Sequence, residues 1–185
     1  MAVSAPFEAT LESGTSAERL PVTYVSSEFF PLLRIRPLLG RGFVAGDDRQ
    51  GAEPVAILSY HIWRTHFGSD QAILGTTAGL DRRRYTIVGV LGPEFSFYRP
   101  AQVFVPISDA VVRQALWMRE DHSGLDAVAR LKPRITIEQA QAQLSAIVEA
   151  PSACAASLSV RVFGTSATAA NVTNPCSTRR RPVAG

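Results

Sequence analysis

Three histidines, two cysteines and a few clustered charges are the side chains here with chemistry to offer. His61 and His66 flank Trp63 in the run SYHIWRTHFG. Five positions apart on a helix, the two imidazoles point about 140° away from each other. Two ligands sharing a metal on one helix need a spacing of three or four, so this pair cannot grip one ion. The same projection puts His66 inside the apolar arc of its helix and His61 outside it. They read as a partly buried structural histidine and a surface one. His122 stands alone after Glu120 and Asp121. General acid–base catalysis needs a reacting group within reach, and no pattern places one beside it.

Asp47 and Asp48 are adjacent, but GDDRQGAE lacks the alternating acids and terminal Glu of a calcium loop. They read as part of a solvated loop. Gly40-Arg41-Gly42 is no phosphate loop, because neither a GK[ST] nor a third glycine follows. Arg82, Arg83 and Arg84 fall at a hairpin tip, either as an exposed turn or as a contact for an acidic partner or lipid head group. Cys154 and Cys176 lack the second pair that a zinc site wants, and their pairing depends on the compartment. Asn171-Val172-Thr173 matches a glycosylation sequon, which matters only in a eukaryotic secretory setting. GxSxG, HExxH and a nucleotide-binding fingerprint are all missing. No catalytic, cofactor-binding or metal-ligating residue is assigned, no cofactor is expected, and the contact residues for a partner or substrate stay unassigned.

The charge is unevenly placed. The formal charge of +3 hides a body, residues 1–150, with 15 basic residues against 16 acidic ones. That near-neutral body argues against a nucleic-acid surface. The excess comes from a tail without acids, mainly Arg179, Arg180 and Arg181, which reads as solvated. No apolar run approaches the roughly 18 residues that cross a bilayer. The start, MAVSAPFEAT, has neither the basic nor the apolar stretch of a secretory signal. The chain alone is expected to be soluble.

The elements that would position these residues follow from pattern. Residues 7–26 read as a hairpin, with Phe7–Leu11 alternating, a turn at Ser13–Ser16 and a return strand at Pro21–Val25. Ser26 or Ser27 is placed to cap a short helix, Glu28–Leu33, in which Pro31 is tolerated in the first turn. Arg34–Phe43 is expected to be a loop with apolar anchors. The stretch from Pro54 to Leu91 is the organising unit. It holds a buried strand at Val55–Leu58, then a helix capped by Ser59 with Tyr60, Trp63 and Phe67 on one face. Gly68 is its left-handed C-cap, and a hairpin follows, Thr76–Leu80 with Tyr85–Val90. Phe95 and Phe97 are expected to pack together. Val103–Ile107 reads as a strand with Pro106 at its end, and 108–122 as a short helix or a partly buried loop.

Ser123–Leu131 is expected to alternate, with Leu125, Ala127, Ala129 and Leu131 on one face. Thr136 and Gln139 form a capping box. The helix they open carries Ile137, Ala140, Leu144, Ile147 and Val148 within about 100°. Pro151 ends it. Beyond Ala150 the hydrophobic period fades. Ser157–Phe163 reads as one more strand, and disorder is expected from Gly164 on.

The order of these segments is more specific than any one of them. YVSSEFFPLLRIRPLLGRGF, DDRQGAEPVAILSYHIWRTHFGSDQAILG, LDRRRYTIVGVLGPEF, VFVPI and AVARLKPRITIEQAQAQL follow one another as in the MacB-like periplasmic core domain. The resemblance spans about residues 7–150 and is similar in flavour to orphan permeases with two permease halves in one chain. It implies an α+β fold, mixed or antiparallel sheets with a few packed helices, of the porter-like type. It also implies an extracytoplasmic domain between the first two membrane helices of an ABC transporter permease, at the periplasmic face of the inner membrane. Such a domain does no chemistry. ATP is hydrolysed by a cytoplasmic ATP-binding subunit, and membrane-helix movement reaches the periplasmic domain to drive efflux, lipoprotein release or signalling. The implied partners are the rest of the permease, that subunit and, compatibly, a periplasmic partner protein.

The sequence departs from that family pattern in three places. The first membrane helix with the start of the domain, the later permease helices, and the expected continuation after Pro151 are not seen. Residues 1–150 are therefore expected to be a partial domain, and 151–185 an atypical, disordered tail resembling a truncated or out-of-frame end. The expected function is a non-enzymatic domain fragment of a transport or efflux permease. The alternative is a free-standing soluble binding or adaptor module of the same fold.

Overall fold

A computed structural model of the chain describes residues 1–13, 16–97, 100–107, 126–132, 134–148, 159–163 and 169–172. Strands β1 (Ala2–Ser13) and β2 (Ser16–Val25) form a long antiparallel hairpin. Helix α1 (Phe29–Leu33), strand β3 (Leu39–Gly40) and strand β4 (Val55–Leu58) follow. Helix α2 (Tyr60–Phe67) leads to the hairpin of β5 (Thr77–Leu80) and β6 (Arg83–Val90). Strands β7 (Val103–Pro106) and β8 (Asp126–Arg130), helix α3 (Ile137–Val148), and strands β9 (Ser159–Phe163) and β10 (Ala169–Val172) complete the order. The fold is α+β, one ten-stranded mixed sheet with three helices among the described residues.

Six of the strands close on themselves. Pairing runs β1–β2–β7–β4–β6–β5 and returns to β1 at Leu11↔Leu80 and Glu12↔Gly79. Closure removes the free edges that an open sheet of this size would expose. The opposite end of β1 pairs instead with β8, at Ala2–Ser4, and β9 and β10 extend that branch. Because both faces of β4 and β7 are covered, all eight of their residues are buried. An apolar run with no alternation is what such strands require.

Two cores flank the sheet. One gathers Leu11, Leu20, Val22, Leu58, Ile62, Trp63, Ile87 and Val103, with Tyr60 and Phe67 partly buried against it. The other centres on Phe29, Phe30, Phe43, Ile57, Leu91, Phe104 and Val128. Most of its ring pairs pack edge to face, as in Phe30 on Phe104 at 5.4 Å, a geometry that aromatic quadrupoles favour.

Helix α2 is built as its sequence requires. The Ser59 hydroxyl accepts from the Ile62 amide at 3.3 Å, and Gly68 ends the helix at φ 59°. The capping box also forms. Thr136 N–H donates to Gln139 Oε1 at 3.0 Å, and Gln139 N–H to Thr136 Oγ1 at 3.2 Å. Ala140 is buried and Ile137 half-buried; the side chains of Leu144, Ile147 and Val148 lie outside the described residues. The Phe95 and Phe97 rings stack, 6.5 Å apart.

Several expectations are corrected. Strand β1 starts at Ala2 rather than Phe7, because β8 supplies a partner for its first residues. Neither Ser26 nor Ser27 caps α1, whose N-cap is Glu28 without a side-chain bond. The Ser26 hydroxyl accepts from Val3 N–H at 3.1 Å, and Ser27 N–H donates to Asp48 at 3.1 Å. The Arg34–Phe43 loop contains β3, paired with the end of β6. Strand β8 does not alternate as expected. Asp126, Ala127 and Val128 are all buried, and Val128 faces the phenylalanine core. The strand lies between β1 and β9, and its first three residues are buried on both faces, so the polar–apolar period loses its meaning over that half. Ala169–Val172 forms β10 within the stretch expected to lack order. The turn at Gly14-Thr15, the 108–122 segment, His122, both cysteines, Thr173 of the sequon and the terminal arginines lie outside the described residues.

Candidate functional site

The histidine pair separates as helical geometry requires. His61 is exposed on the outer side of α2, whereas His66 Nε2 lies 3.1 Å from the Glu18 carboxylate on β2. His66 therefore ties the helix to the long hairpin. Asp47 and Asp48 also diverge. The Asp47 carboxylate binds Arg41 at 2.7 Å and accepts from Val44 N–H at 2.9 Å. Asp48 accepts from Ser27 N–H. Partial burial pushes the Asp48 carboxyl up, but hydrogen bonds from the Ser27 amide and hydroxyl and from the amides of Asp48 and Gly46 outweigh it, and the group ends below the ordinary range. Among the described residues, no three His, Cys, Asp or Glu side chains converge as a metal site would need.

Gly40 of the Gly40-Arg41-Gly42 run serves packing. Its φ is 72°, and a Cβ there would sit 2.2 Å from the Val88 carbonyl oxygen. Of the three tip arginines, only Arg82 lies in the turn; Arg83 and Arg84 open β6, and all three are exposed. Arg83 lies over the Tyr85 ring at 5.7 Å. Asp81 beside them accepts from Thr10 N–H at 2.9 Å and fastens the tip to β1.

A cleft of about 500 Å³ opens between the first half of α2 and the segment from Leu91 to Gln102. Ser59, Tyr60, His61, Arg64 and Thr65 form one wall, and Pro93, Phe95, Phe97 and Pro100 much of the other. Arg64 sits 5.7 Å from the Tyr60 ring. Among the described residues the lining carries two basic side chains, His61 and Arg64, and no acidic one. Gln102 joins the walls where its backbone carbonyl accepts from Ser59 N–H at 2.8 Å, and its backbone amide donates to Pro21 O of β2 at 2.9 Å. Its Oε1 is buried without a hydrogen-bond partner among the described residues. Sequence reasoning found the helix wall of this cleft but not the opposite wall. The only signal was the Pro- and Phe-rich spacing after Gly92. The volume suits a small ligand or a side chain of a partner; of the described hydroxyls in the lining, Ser59 accepts from Ile62 N–H and Thr65 donates to the His61 carbonyl.

This arrangement, a closed strand ring with an aromatic helix on one side and phenylalanine packing on the other, can be set beside known proteins. The family model described as MacB-like periplasmic core domain matches residues 2–147. The chain belongs to that family. MacB-like periplasmic core domains are extracytoplasmic parts of ABC transporter permeases. The periplasmic region of MacB from Actinobacillus actinomycetemcomitans is similar in fold, with a TM-score of 0.56, 14% identity, and coverage of 80% of this chain and 65% of that one. A domain of a putative permease protein from Porphyromonas gingivalis gives a TM-score of 0.56 and 15% identity, covering 80% and 69%. The extracellular domain of the noncanonic ABC-type transporter YknZ from Gram-positive bacteria is 18% identical with a TM-score of 0.47, covering 58% and 54%. The chain thus spans only 54% and 65% of the YknZ and MacB domains. No curated protein matches it. No described helix is long and apolar enough to cross a membrane.

Proposed function

We propose that this MacB-like domain performs no reaction itself and couples membrane-helix movement to the handling of a substrate or partner in an ABC-type transport or efflux permease. The supporting observation is the continuity of β1. This one strand bonds to β8 at its start, to β2 along its length and to β5 at its far end. Twelve extended residues span about 40 Å. Displacement applied near Ala2 therefore reaches the hairpin tip through a hydrogen-bonded ladder rather than a flexible loop.

The test uses a permease carrying this domain, reconstituted with its ATP-binding subunit in phospholipid vesicles. Glu12→Cys with Gly79→Cys places thiols across the β1–β5 junction, where the Glu12 Cβ and a Cβ built on Gly79 are 3.1 Å apart. The movement delivered along β1 has to shift β5 at this junction, which the cross-link prevents, so oxidation is expected to depress ATP-driven transport, and reduction to restore it, with ATP binding unchanged throughout. Transport that continues at full rate with the cross-link formed overturns the coupling role.

A further inference from the structure

We infer that the groove below α1, rimmed by Arg34, Arg36 and Arg41, is a docking site for an acidic, leucine-type peptide segment of a partner protein. The inference stands on the groove alone and survives if the coupling role fails.

The groove has a volume of about 590 Å³. Its floor includes Phe30 and Phe43, which are buried. Residues 34–44, RIRPLLGRGFV, carry three arginines and no acid, within a body whose charges as a whole nearly balance. Arg41 is engaged by Asp47 at 2.7 Å. Arg34 and Arg36 are exposed, and neither joins an ion pair among the described residues. Val44 in the groove lining is 50% exposed, and Leu38, which follows Pro37 of that lining in the chain, is 52% exposed; only Met1 is more exposed among the described large apolar side chains. Exposed apolar side chains next to unmatched guanidinium groups make a surface that one occupant can satisfy twice. It must bring carboxylates for the arginines and apolar side chains for Leu38 and Val44. The Asp47 carboxylate, held by Arg41 and the Val44 amide, already shows how an acid seats here.

The groove is also formed in advance. Arg34 N–H donates to Pro31 O at 3.1 Å, Ile35 N–H to Phe30 O at 3.0 Å, and Arg41 N–H to Val88 O at 2.8 Å. A rigid receptor loses little entropy on binding. Its concavity favours a peptide over a membrane, because lipid insertion relies on apolar side chains that protrude from a convex face.

Fluorescence anisotropy of fluorescein-labelled peptides, titrated with the full 185-residue chain, tests this. An octapeptide alternating Glu and Leu is expected to bind at least tenfold more tightly than its Gln–Leu counterpart. Arg34→Glu with Arg36→Glu is expected to abolish that preference. Leu38→Ser with Val44→Ser is expected to weaken binding severalfold even at high salt. All four side chains are exposed, so unchanged urea midpoints verify folding. Equal affinity for the two peptides, or affinity unaffected by the arginine changes, overturns the inference. So does an arginine-dependent dimer in sedimentation, which would make a second copy the occupant. Arginine-dependent co-sedimentation with phosphatidylglycerol vesicles, in the absence of peptide binding, overturns it in favour of a membrane surface.

Discussion

Arg130 on β8 donates two hydrogen bonds, from Nε at 3.0 Å and Nη2 at 2.8 Å, to the backbone carbonyl of Leu32, 98 positions earlier. The acceptor lies in the last turn of α1, where carbonyls lack helical partners and the dipole favours a cation. A five-residue helix has little stability of its own. This guanidinium fastens it to the strand branch carrying β9 and β10. Hydrogen bonds to charged groups contribute about 1.5–3 kcal/mol. Arg130→Ala is therefore expected to destabilise the fold by roughly 2 kcal/mol, and Arg130→Lys by less. Urea unfolding followed by circular dichroism measures both, and an unchanged midpoint for Arg130→Ala would mean that the clasp contributes nothing.

A second expectation concerns two glycines in one loop. Gly40 combines φ 72° with a Cβ position 2.2 Å from the Val88 carbonyl oxygen, whereas a Cβ on Gly42 would meet nothing within 4 Å. The left-handed conformation alone costs an L-residue about 1–2 kcal/mol, and the backbone contact adds to it. Gly40→Ala is expected to lose more than about 2 kcal/mol, and Gly42→Ala to stay within about 0.5 kcal/mol. Thermal melts of the two variants side by side would expose an error if they shifted equally.

Much of this is legible in the sequence, and the boundary is physical. Ser59, Gly68, Thr136 and Gln139 act within one or two turns of chain, so their types and spacing state their roles. The histidines at 61 and 66 could be separated by helical rotation alone. The ordered segments also pointed to the family. What escaped depends on register between distant segments. The Leu11↔Leu80 closure, the Arg130–Leu32 bonds and the His66–Glu18 contact join residues that nothing local relates. The cleft beside α2 escaped for the same reason, since one wall is helix and the other a loop after Gly92. Strand β8 misled because alternation assumes one wet face, and its first three residues, Asp126 to Val128, have none.

The Asp48–Ser27 bond predicts an acid dependence. The Asp48 carboxyl is held below its ordinary value in the folded chain, so folding favours its charged form. Its contribution is fully present above the unfolded aspartate value of about 3.9 and is lost as pH falls through the lower folded value. Asp48→Asn removes that linkage. The difference in urea midpoint between the original chain and Asp48→Asn is expected to be constant from about pH 5 to 7 and to shrink below about pH 4. A difference that persists undiminished at about pH 2.5 would assign the effect to amide packing rather than to charge.

The closed ring offers the last test, on the chain alone. Glu12 on β1 lies opposite Gly79 on β5 at the junction that completes the six-strand circuit. The 3.1 Å between the Glu12 Cβ and a Cβ at Gly79 is a few tenths of an ångström short of disulfide geometry, so a small backbone adjustment suffices. In a background without Cys154 and Cys176, Glu12→Cys with Gly79→Cys is expected to oxidise readily. The bond links segments far apart in sequence and should stabilise the chain by about 2–4 kcal/mol through the unfolded state. The same pair reduced is expected to be slightly less stable than the original, because the side chain introduced in place of Gly79 presses on β1. Mobility on non-reducing gels reports the bond, and paired melts with and without reductant report its effect. Failure to oxidise in the folded state would show that β1 and β5 do not meet there in solution, and that the sheet is an open one whose free edges must be protected some other way.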